Sequence, residues 1–214
     1  MKITIIYDNM PLLMKGLRAD WGFAALVEVG HERKILFDTG ANGEILLGNM
    51  GALGIEPTSI DEVFISHPHI DHIGGLSRFL EQNNAVKVWV PPSMGEVIHA
   101  KETAVVQGPI QIHKGIYSTG ELKGIEQSMA VETSRGLVLV VGCSHPRMEN
   151  ILGSASLFGK VYGIVGGLHS TRPESLRDLD LICAAHCTRH QAQIKRLYPE
   201  AYLKGGAGRV IEIQ

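Results

Sequence analysis

The pattern of apolar and polar positions in the first quarter of the chain predicts strands followed by a covering helix. Runs of apolar and β-branched residues predict strands at residues 2–7, 23–29 and 33–37. Residues 30–32 suit a hairpin turn between the second and third of these strands. Asn42 stands where a helix N-cap is expected, apolar residues follow it at helical spacing, and Gly54 ends that pattern.

Strands and helices alternate through the rest of the chain. Further strands are predicted at residues 63–65, 86–90, 127–133, 137–141, 161–165, 181–184 and 209–213. Helices are predicted at residues 74–81, 94–102, 149–158 and 191–197. No low-complexity linker interrupts this order. We therefore predict one α/β domain over residues 1–214, in which two sheets pack face to face and helices cover the outside.

The composition is that of a globular protein with a substantial core. Of the 214 residues, 44% are hydrophobic and 20% are charged, and the net charge is −2 without a basic block at either end. This balance gives no support to binding of nucleic acid or of acidic membranes. The apolar run at residues 137–141 is too short to span a bilayer, and the N-terminal apolar run stops at Asp8. With three sparse cysteines, these features favour a cytoplasmic protein, and the oligomeric state is left open.

A cluster of histidines and one aspartate follows the strand predicted at residues 63–65. His67, His69, Asp71 and His72 lie within six residues, a match expected by chance about once in a thousand such sequences. Side chains two apart in an extended segment point the same way, so His67 and His69 can bind one metal ion. Asp71 and His72 come where the chain turns, and they can face a second ion or the reacting water. The alternative is a set of solvent-facing loop histidines, and the clustering favours a divalent ion.

Three more histidines follow predicted strands. His145, His169 and His186 come at the ends of strands 137–141, 161–165 and 181–184, where a folded sheet would bring them together. Cys143 and Cys187 stand beside two of these histidines. A soft-metal ligand and a packing thiol are both open readings for each cysteine, and packing is favoured.

Five motifs together carry a resemblance to a known family. They are His67-x-His69-x-Asp71-His72 with Gly74-Gly75, Phe37-Asp-Thr-Gly40, Gly142-Cys-Ser-His145, Gly166-Gly-Leu-His169 and His186-Cys-Thr188. The sequence resembles the metallo-β-lactamase superfamily along nearly its whole length. Within it, the chain resembles a subgroup of metal-dependent hydrolases that are often named ribofuranosylaminobenzene 5'-phosphate synthase-like.

The resemblance implies a fold and two sets of metal ligands. The fold would be a four-layer αββα sandwich. The first ion would be held by His67, His69 and His145, and the second by Asp71, His72 and His186. Zinc is the expected metal, and iron and manganese are the alternatives.

The chain departs from the family pattern in three places. The superfamily usually has a bridging Asp after the strand that here ends in Gly166-Gly167, and the nearest polar residue is His169. This leaves open whether one or two ions bind. The subgroup usually has Gly after His-Cys-Thr, where this chain has Arg189. The segment from 92 to 120 is also shorter than the substrate-covering insertion of many relatives.

Several residues receive expected roles beyond ligation. Asp71 is expected to orient the attacking water and to accept its proton. His169 is a catalytic candidate that would stabilise charge on the substrate. Alternatively, His169 would be an extra metal ligand, or it would lie behind the ligands and support them. Asp38 follows a buried strand and is expected to accept a hydrogen bond from a metal-ligating imidazole. Asp8 has the same reading, or caps a turn.

These features predict a hydrolase that uses metal-activated water on an ester-like bond in a small molecule. A phosphoester or phosphodiester is preferred over a thioester or lactone, because cationic side chains follow the predicted strands at Arg147, Arg172, Arg189 and Lys204. Of these, Arg172 and Lys204 are the candidates for substrate binding. Two alternatives are an iron-dependent redox or oxygen enzyme on the same fold, and a metal-binding regulatory protein with little activity.

Overall fold

The computed structural model describes residues 1–12, 16–30 and 33–214. Of the hairpin turn predicted at residues 30–32, only Gly30 falls within the described residues.

The first sheet has seven strands. Its members are β1 (Lys2–Tyr7), β2 (Ala24–Val29), β3 (Arg33–Phe37), β4 (Glu62–Phe64), β5 (Lys87–Val90), β6 (Glu102–Val105) and β14 (Val210–Glu212). They lie in the order β14-β1-β2-β3-β4-β5-β6. The pairs from β14 to β3 are antiparallel, and those from β3 to β6 are parallel.

The second sheet also has seven strands. Its members are β7 (Ile110–His113), β8 (Ile116–Ser118), β9 (Met129–Thr133), β10 (Gly136–Val141), β11 (Val161–Gly167), β12 (Leu181–Ala185) and β13 (Tyr202–Lys204). They lie in the order β13-β12-β11-β10-β9-β8-β7. The strands from β10 to β13 are parallel, while β7 to β10 form an antiparallel meander.

Five α-helices flank the sheets in the described part of the chain. They are α1 (Gly43–Ala52), α2 (Ile70–Ile73), α3 (Leu76–Gln82), α4 (Met148–Ala155) and α5 (Gln191–Leu197). Asn42 caps α1 as predicted, because its side-chain oxygen accepts from the backbone N–H of Glu44 at 2.9 Å and of Ile45 at 3.2 Å. None of these helices has the length and apolar character that a membrane-crossing helix requires.

Three apolar clusters define the layers. Between the sheets, Phe37 and Phe64 stack with ring centroids 5.4 Å apart and join a cluster to which both sheets contribute. On the outer face of the first sheet, residues of α1 and α3 such as Leu46 and Phe79 are buried, and Ile151 of α4 is buried on the outer face of the second. Burial of each such side chain contributes roughly 1.5–3 kcal/mol. The predicted four-layer αββα sandwich is confirmed.

The segment from 92 to 120 contains the main errors of the predicted secondary structure. The helix predicted at residues 94–102 is wrong, since residues 92–101 form turns and bends and β6 follows them. Gly95 adopts a φ of 74°, and the N–H of Val97 bonds to the Thr103 hydroxyl at 3.1 Å instead of continuing a helical ladder. The edge strand β7 and its neighbour β8 were also missed, because strands of three or four residues carry a weak periodic signal.

Candidate metal centre

The carboxyl ends of the central strands meet at one edge of the sandwich. The histidines beyond these ends come close together, with ring centroids 5.0 Å apart for His67 and His145 and 5.1 Å apart for His72 and His186. The first residue of each pair follows the first sheet, and the second follows the second sheet. Residues that are distant in sequence therefore converge on a cleft between the two sheets, as the strand-end positions predicted.

One triad consists of His67, His69 and His145. Their candidate ligand atoms all lie within 4.8 Å of one another. His67 Nε2 is 3.0 Å from His69 Nδ1, close to the roughly 3.3 Å that separates two imidazole nitrogens on one tetrahedral zinc. His145 Nε2 is buried, and the described residues offer it no hydrogen-bond partner. The structure thus brings together the three residues predicted for the first ion.

A second triad consists of Asp71, His72 and His186. Asp71 Oδ2 lies 3.7 Å from His72 Nε2 and 3.3 Å from His186 Nε2. The contact with His186 lacks the geometry of a hydrogen bond, so this buried nitrogen is also unpartnered within the described residues. The residues predicted for the second ion therefore also come together.

Asp38 fixes the orientation of one histidine in each triad. Its Oδ2 lies 2.7 Å from His72 Nδ1 and accepts from the Ser66 hydroxyl at 2.6 Å. Ser66 Oγ is in turn 2.9 Å from His67 Nδ1. Because the Ser66 proton goes to Asp38, the Nδ1 atoms of His67 and His72 are the donors, and their Nε2 lone pairs face the centre. Sequence reasoning singled out Asp38 but missed Ser66.

Asn9 plays the corresponding part for His186. The Asn9 amide nitrogen donates to the His186 carbonyl at 3.0 Å, so its oxygen, 2.9 Å from His186 Nδ1, is the acceptor. The ring proton therefore sits on Nδ1, which leaves Nε2 as the free nitrogen. Asp8 accepts from the backbone N–H of His186 at 2.9 Å and of Met10 at 3.1 Å. Asp8 thus holds the loop and not the ring, and Asn9 was missed because no local motif surrounds it.

Glu126 holds the loop that carries His145. Its fully buried carboxylate accepts four backbone N–H bonds of 2.9–3.1 Å from the consecutive residues 142–145. Burial raises the pKa of Glu126, and these four amides oppose that rise. One feature of the sequence could have indicated this role of Glu126, since its carboxylate directly precedes the strand predicted at residues 127–133.

Replacing Glu126 with alanine is expected to lower the free energy of unfolding by about 3–5 kcal/mol, because four buried amides lose their acceptor. Glu126→Gln keeps one carbonyl oxygen, so we expect a smaller loss of about 1–2 kcal/mol. Urea unfolding of the chelated proteins measures both, with the exposed Glu132→Ala as the control. A Glu126→Ala protein within about 0.5 kcal/mol of wild type would contradict this assignment.

Backbone strain concentrates at the same loops. Five non-glycine residues that directly follow these strands or lie in the ensuing turns have positive φ, namely Asp38 (54°), Ser144 (62°), Arg147 (73°), His169 (40°) and His186 (45°). Such conformations cost roughly 1–3 kcal/mol each and persist where the surroundings impose them. Hydrogen bonds of the Asp38, Glu126 and Asp8 carboxylates supply that constraint at Asp38, Ser144 and His186.

The electrostatics of His67, His145 and Asp71 favour the protonation states that a metal ligand needs. At His72 burial acts to lower the pKa, but the contact with Asp38 and the charge of Asp71 raise it overall. Burial and the neighbouring imidazoles lower the pKa of His67, and they lower that of His145 to about 4. Burial acts to raise the pKa of Asp71, but the close contact with His186 and the charge of His72 lower it overall. Near neutral pH, His67 and His145 therefore present neutral lone pairs and Asp71 presents a carboxylate.

A cleft of about 480 Å³ adjoins the first triad. His145, His169, Arg147 and Arg172 are among the residues that line it. The ring of His169 is 5.1 Å from that of His145 and belongs to neither triad, so this residue faces the cleft. Burial and the charge of Arg189 lower its pKa.

The other two predicted cations lie elsewhere. Arg189 and Lys204 are not among the described residues that line this cleft. Arg189 instead donates its backbone N–H to the carbonyl of His169 at 2.9 Å. Lys204 is exposed at the end of edge strand β13, where it pairs with Ala184. The cleft thus favours the arginines at 147 and 172 as anion contacts.

Two exposed apolar side chains stand beside the triads. The Trp21 indole is 58% exposed, and its ring centroid is 5.1 Å from that of His186. Ile70, between His69 and Asp71, is 71% exposed. Sequence reasoning missed both, because exposure of a large apolar residue is not visible in a local pattern.

The fold and the two triads define an αββα protein with a two-part histidine and aspartate centre. Residues 20–124 match the model of the metallo-beta-lactamase superfamily, which agrees with the four-layer fold and with structural neighbours named for that superfamily. The resemblance to the metallo-β-lactamase superfamily that the motifs predicted is confirmed by this match over residues 20–124 and by the shared fold.

Particular relatives and solved structures are similar to this chain over most or all of its length. A Methanocaldococcus jannaschii protein named 7,8-dihydropterin-6-methyl-4-(beta-D-ribofuranosyl)-aminobenzene-5'-phosphate synthase is 26% identical over 262 aligned positions, covering 89% of each chain. The crystal structure of Tm1679, described as a metal-dependent hydrolase of the beta-lactamase superfamily, superposes with a TM-score of 0.82 at 24% identity, covering 100% of this chain and 99% of that one. Zn(2+)-bound PqqB from Methylobacterium extorquens has a TM-score of 0.65 at 12% identity, with 100% of each chain covered.

Proposed function

We propose that this protein is a hydrolase that binds two divalent ions, one in each triad, and cleaves a phosphate ester of a small molecule. The observation that carries the proposal is the pair of triads, in which His145 Nε2 and His186 Nε2 are buried without a hydrogen-bond partner in the described chain. A buried polar atom without a partner costs roughly 1–3 kcal/mol. A bound cation at each triad removes that cost.

The donor set fits a borderline transition metal. Five imidazoles and one carboxylate supply the six candidate ligand atoms. Imidazole suits zinc, iron and copper, whereas magnesium and calcium prefer oxygen donors. We therefore propose zinc, with iron and manganese as the other candidates. The imidazoles of His67, His72 and His186 are already oriented by Asp38, Ser66 and Asn9, which lowers the cost of binding.

The residues of the chain have distinct roles in the proposed reaction. The ions would lower the pKa of water towards neutrality and polarise the phosphoryl oxygen. Asp71 would hold the attacking water by hydrogen bond and take its proton, and its low pKa keeps it ionised for that task. His169 faces the cleft as a neutral imidazole and would donate a hydrogen bond to the substrate.

The cleft supports a phosphorylated small molecule. Its volume of about 480 Å³ suits a ligand of metabolite size. Arg147 and Arg172 line the cleft together with Glu149, and a guanidinium group matches the planar, bidentate geometry of phosphate oxygens. The name of the M. jannaschii relative contains a 5'-phosphate, which agrees with this preference. Because each triad takes ligands from both sheets, we propose that residues 1–214 act as one unit.

The proposed activity is tested with p-nitrophenyl esters of phosphate on protein that is first stripped with a chelator. We expect no turnover by the stripped protein, and restored turnover after addition of zinc. Thioester and lactone substrates assayed in parallel decide the bond class. Metal-loaded protein that hydrolyses thioesters or lactones and not phosphoesters would overturn the phosphate preference.

Arg172→Ala is expected to raise KM for a phosphoester about tenfold with a smaller change in kcat, because it removes a contact made to bound substrate. Arg177→Ala is the matched control. That arginine is 76% exposed, pairs with Asp178 and does not line the cleft. An unchanged KM in Arg172→Ala, or an equal rise in Arg177→Ala, would remove Arg172 from the substrate contacts.

A further inference from the structure

Two cysteine sulfurs lie inside the centre and have no part in the hydrolysis proposed above. Cys143 and Cys187 are buried, and their Sγ atoms are 3.2 Å apart. Cys143 follows β10 two residues before His145, and Cys187 directly follows His186. The sequence by itself favours packing as the role of both thiols.

Cys143 lies close to candidate ligand atoms of both triads. Its Sγ atom is 3.3 Å from His72 Nε2. Candidate ligand atoms of His67, His72 and Cys143 lie within 4.8 Å of one another, and so do those of Cys143, His186 and Cys187. A nitrogen and a sulfur bound to one tetrahedral zinc are roughly 3.5 Å apart, so the observed separation fits shared ligation.

The two glycines at the end of β11 have no room for a side chain. A Cβ atom built on Gly167 would lie 2.8 Å from Cys187 Sγ and 2.3 Å from the carbonyl oxygen of Gly142. A Cβ on Gly166 would lie 2.0 Å from the carbonyl oxygen of Val141. No side chain fits at either glycine, so β11 cannot supply a carboxylate here. The Cys187 sulfur occupies the space beside Gly167.

We propose that Cys143 Sγ is a ligand of the second ion, beside Asp71, His72 and His186. This inference rests on the metal centre of the proposed function. Cys187 is a positioning residue, since its S–H lies within hydrogen-bond distance of the Cys143 sulfur. Cys143 loses its thiol proton to solvent when the ion binds, as thiolate ligands do. A thiolate selects zinc, iron or cobalt over manganese and magnesium, which narrows the native metal.

The inference is tested by replacing the native metal with cobalt(II) after chelation. Bound cobalt is counted by mass spectrometry, and near-ultraviolet absorption reports thiolate-to-cobalt charge transfer. We expect this band in the wild type and its loss in Cys143→Ser. We expect it to persist in Cys187→Ser and in Cys183→Ser, the latter a matched control because Cys183 is buried in the core between the sheets. If Cys143→Ser fails to fold, persistence in both other variants still assigns the band to Cys143.

The outcomes separate the two proposals. Wild-type protein that binds cobalt without the band would overturn thiolate ligation and leave the metal centre standing. A band that survives in Cys143→Ser, or disappears in Cys183→Ser, would overturn the assignment to Cys143. A protein that binds no cobalt would overturn both this inference and the proposed function.

Discussion

Asp71→Asn is expected to lower kcat for a phosphoester by a factor of about 10²–10⁴, the range that a positioned proton acceptor contributes. Asparagine has nearly the same shape but cannot accept a proton at neutral pH. It also removes the negative charge that lies 3.3 Å from His186 Nε2 and 3.7 Å from His72 Nε2. The measurement is steady-state kinetics on protein whose metal content is determined in the same sample.

Asp178→Asn is the matched control for that variant, because its carboxylate is 88% exposed and contacts only the surface residue Arg177. We expect its kcat to equal that of the wild type. Metal content separates the two roles of Asp71, since loss of activity with both ions retained isolates the proton acceptor. A metal-loaded Asp71→Asn protein with kcat within about threefold of wild type would remove Asp71 from the reaction.

Asp38→Asn is expected to weaken zinc binding about 10- to 100-fold, the usual effect of losing a carboxylate that orients a ligating histidine. Asp38 Oδ1 accepts from the backbone N–H of Ser66 at 2.7 Å, and Oδ2 accepts the Ser66 hydroxyl proton and faces His72 Nδ1. An asparagine amide group turned either way meets a donor with a donor. If the amide nitrogen of the introduced asparagine faces His72 Nδ1, the His72 ring must carry its proton on Nε2 and can no longer bind metal through that atom.

Competition with a chelator of known affinity measures this loss. Asp61→Asn is the control, because Asp61 also accepts a backbone N–H, from Lys34 at 2.7 Å, but directly precedes β4 at the end opposite to the centre. We expect the affinity of Asp61→Asn to be unchanged. Wild-type affinity in Asp38→Asn would show that the Asp38 contacts do not orient the ligands.

The two-triad arrangement could be predicted because its residues follow strands. His67, His69, Asp71 and His72 are adjacent in sequence, and strand-end positions suggested where His145 and His186 would lie. A short motif and the rule that parallel strands end at one edge predicted that these residues cluster. Their division into two sets of ligands came from the resemblance to the metallo-β-lactamase superfamily. The same reasoning gave the αββα layers, since the strands β1, β3 and β10 carry long buried runs.

The residues that support the ligands could not be predicted in this way. Asn9 reaches His186 across 177 positions of sequence, and Glu126 reaches back over the loop at 142–145. The Asn9 contact depends on how the two sheets pack, and the Glu126 contact depends on how β9 and β10 pair, neither of which a local pattern encodes. The same limit hid the proximity of Cys143 to His72, because the two residues are 71 positions apart. The short strands at residues 110–118 could not be predicted for another reason, because their apolar residues show only a weak periodicity.

The central claim is that each triad holds one divalent ion. Anomalous X-ray diffraction at the zinc absorption edge, from crystals of zinc-reconstituted protein, tests it most directly. We expect two anomalous peaks, one among His67, His69 and His145 and one among Asp71, His72 and His186. A single peak, or none at these positions, would contradict it.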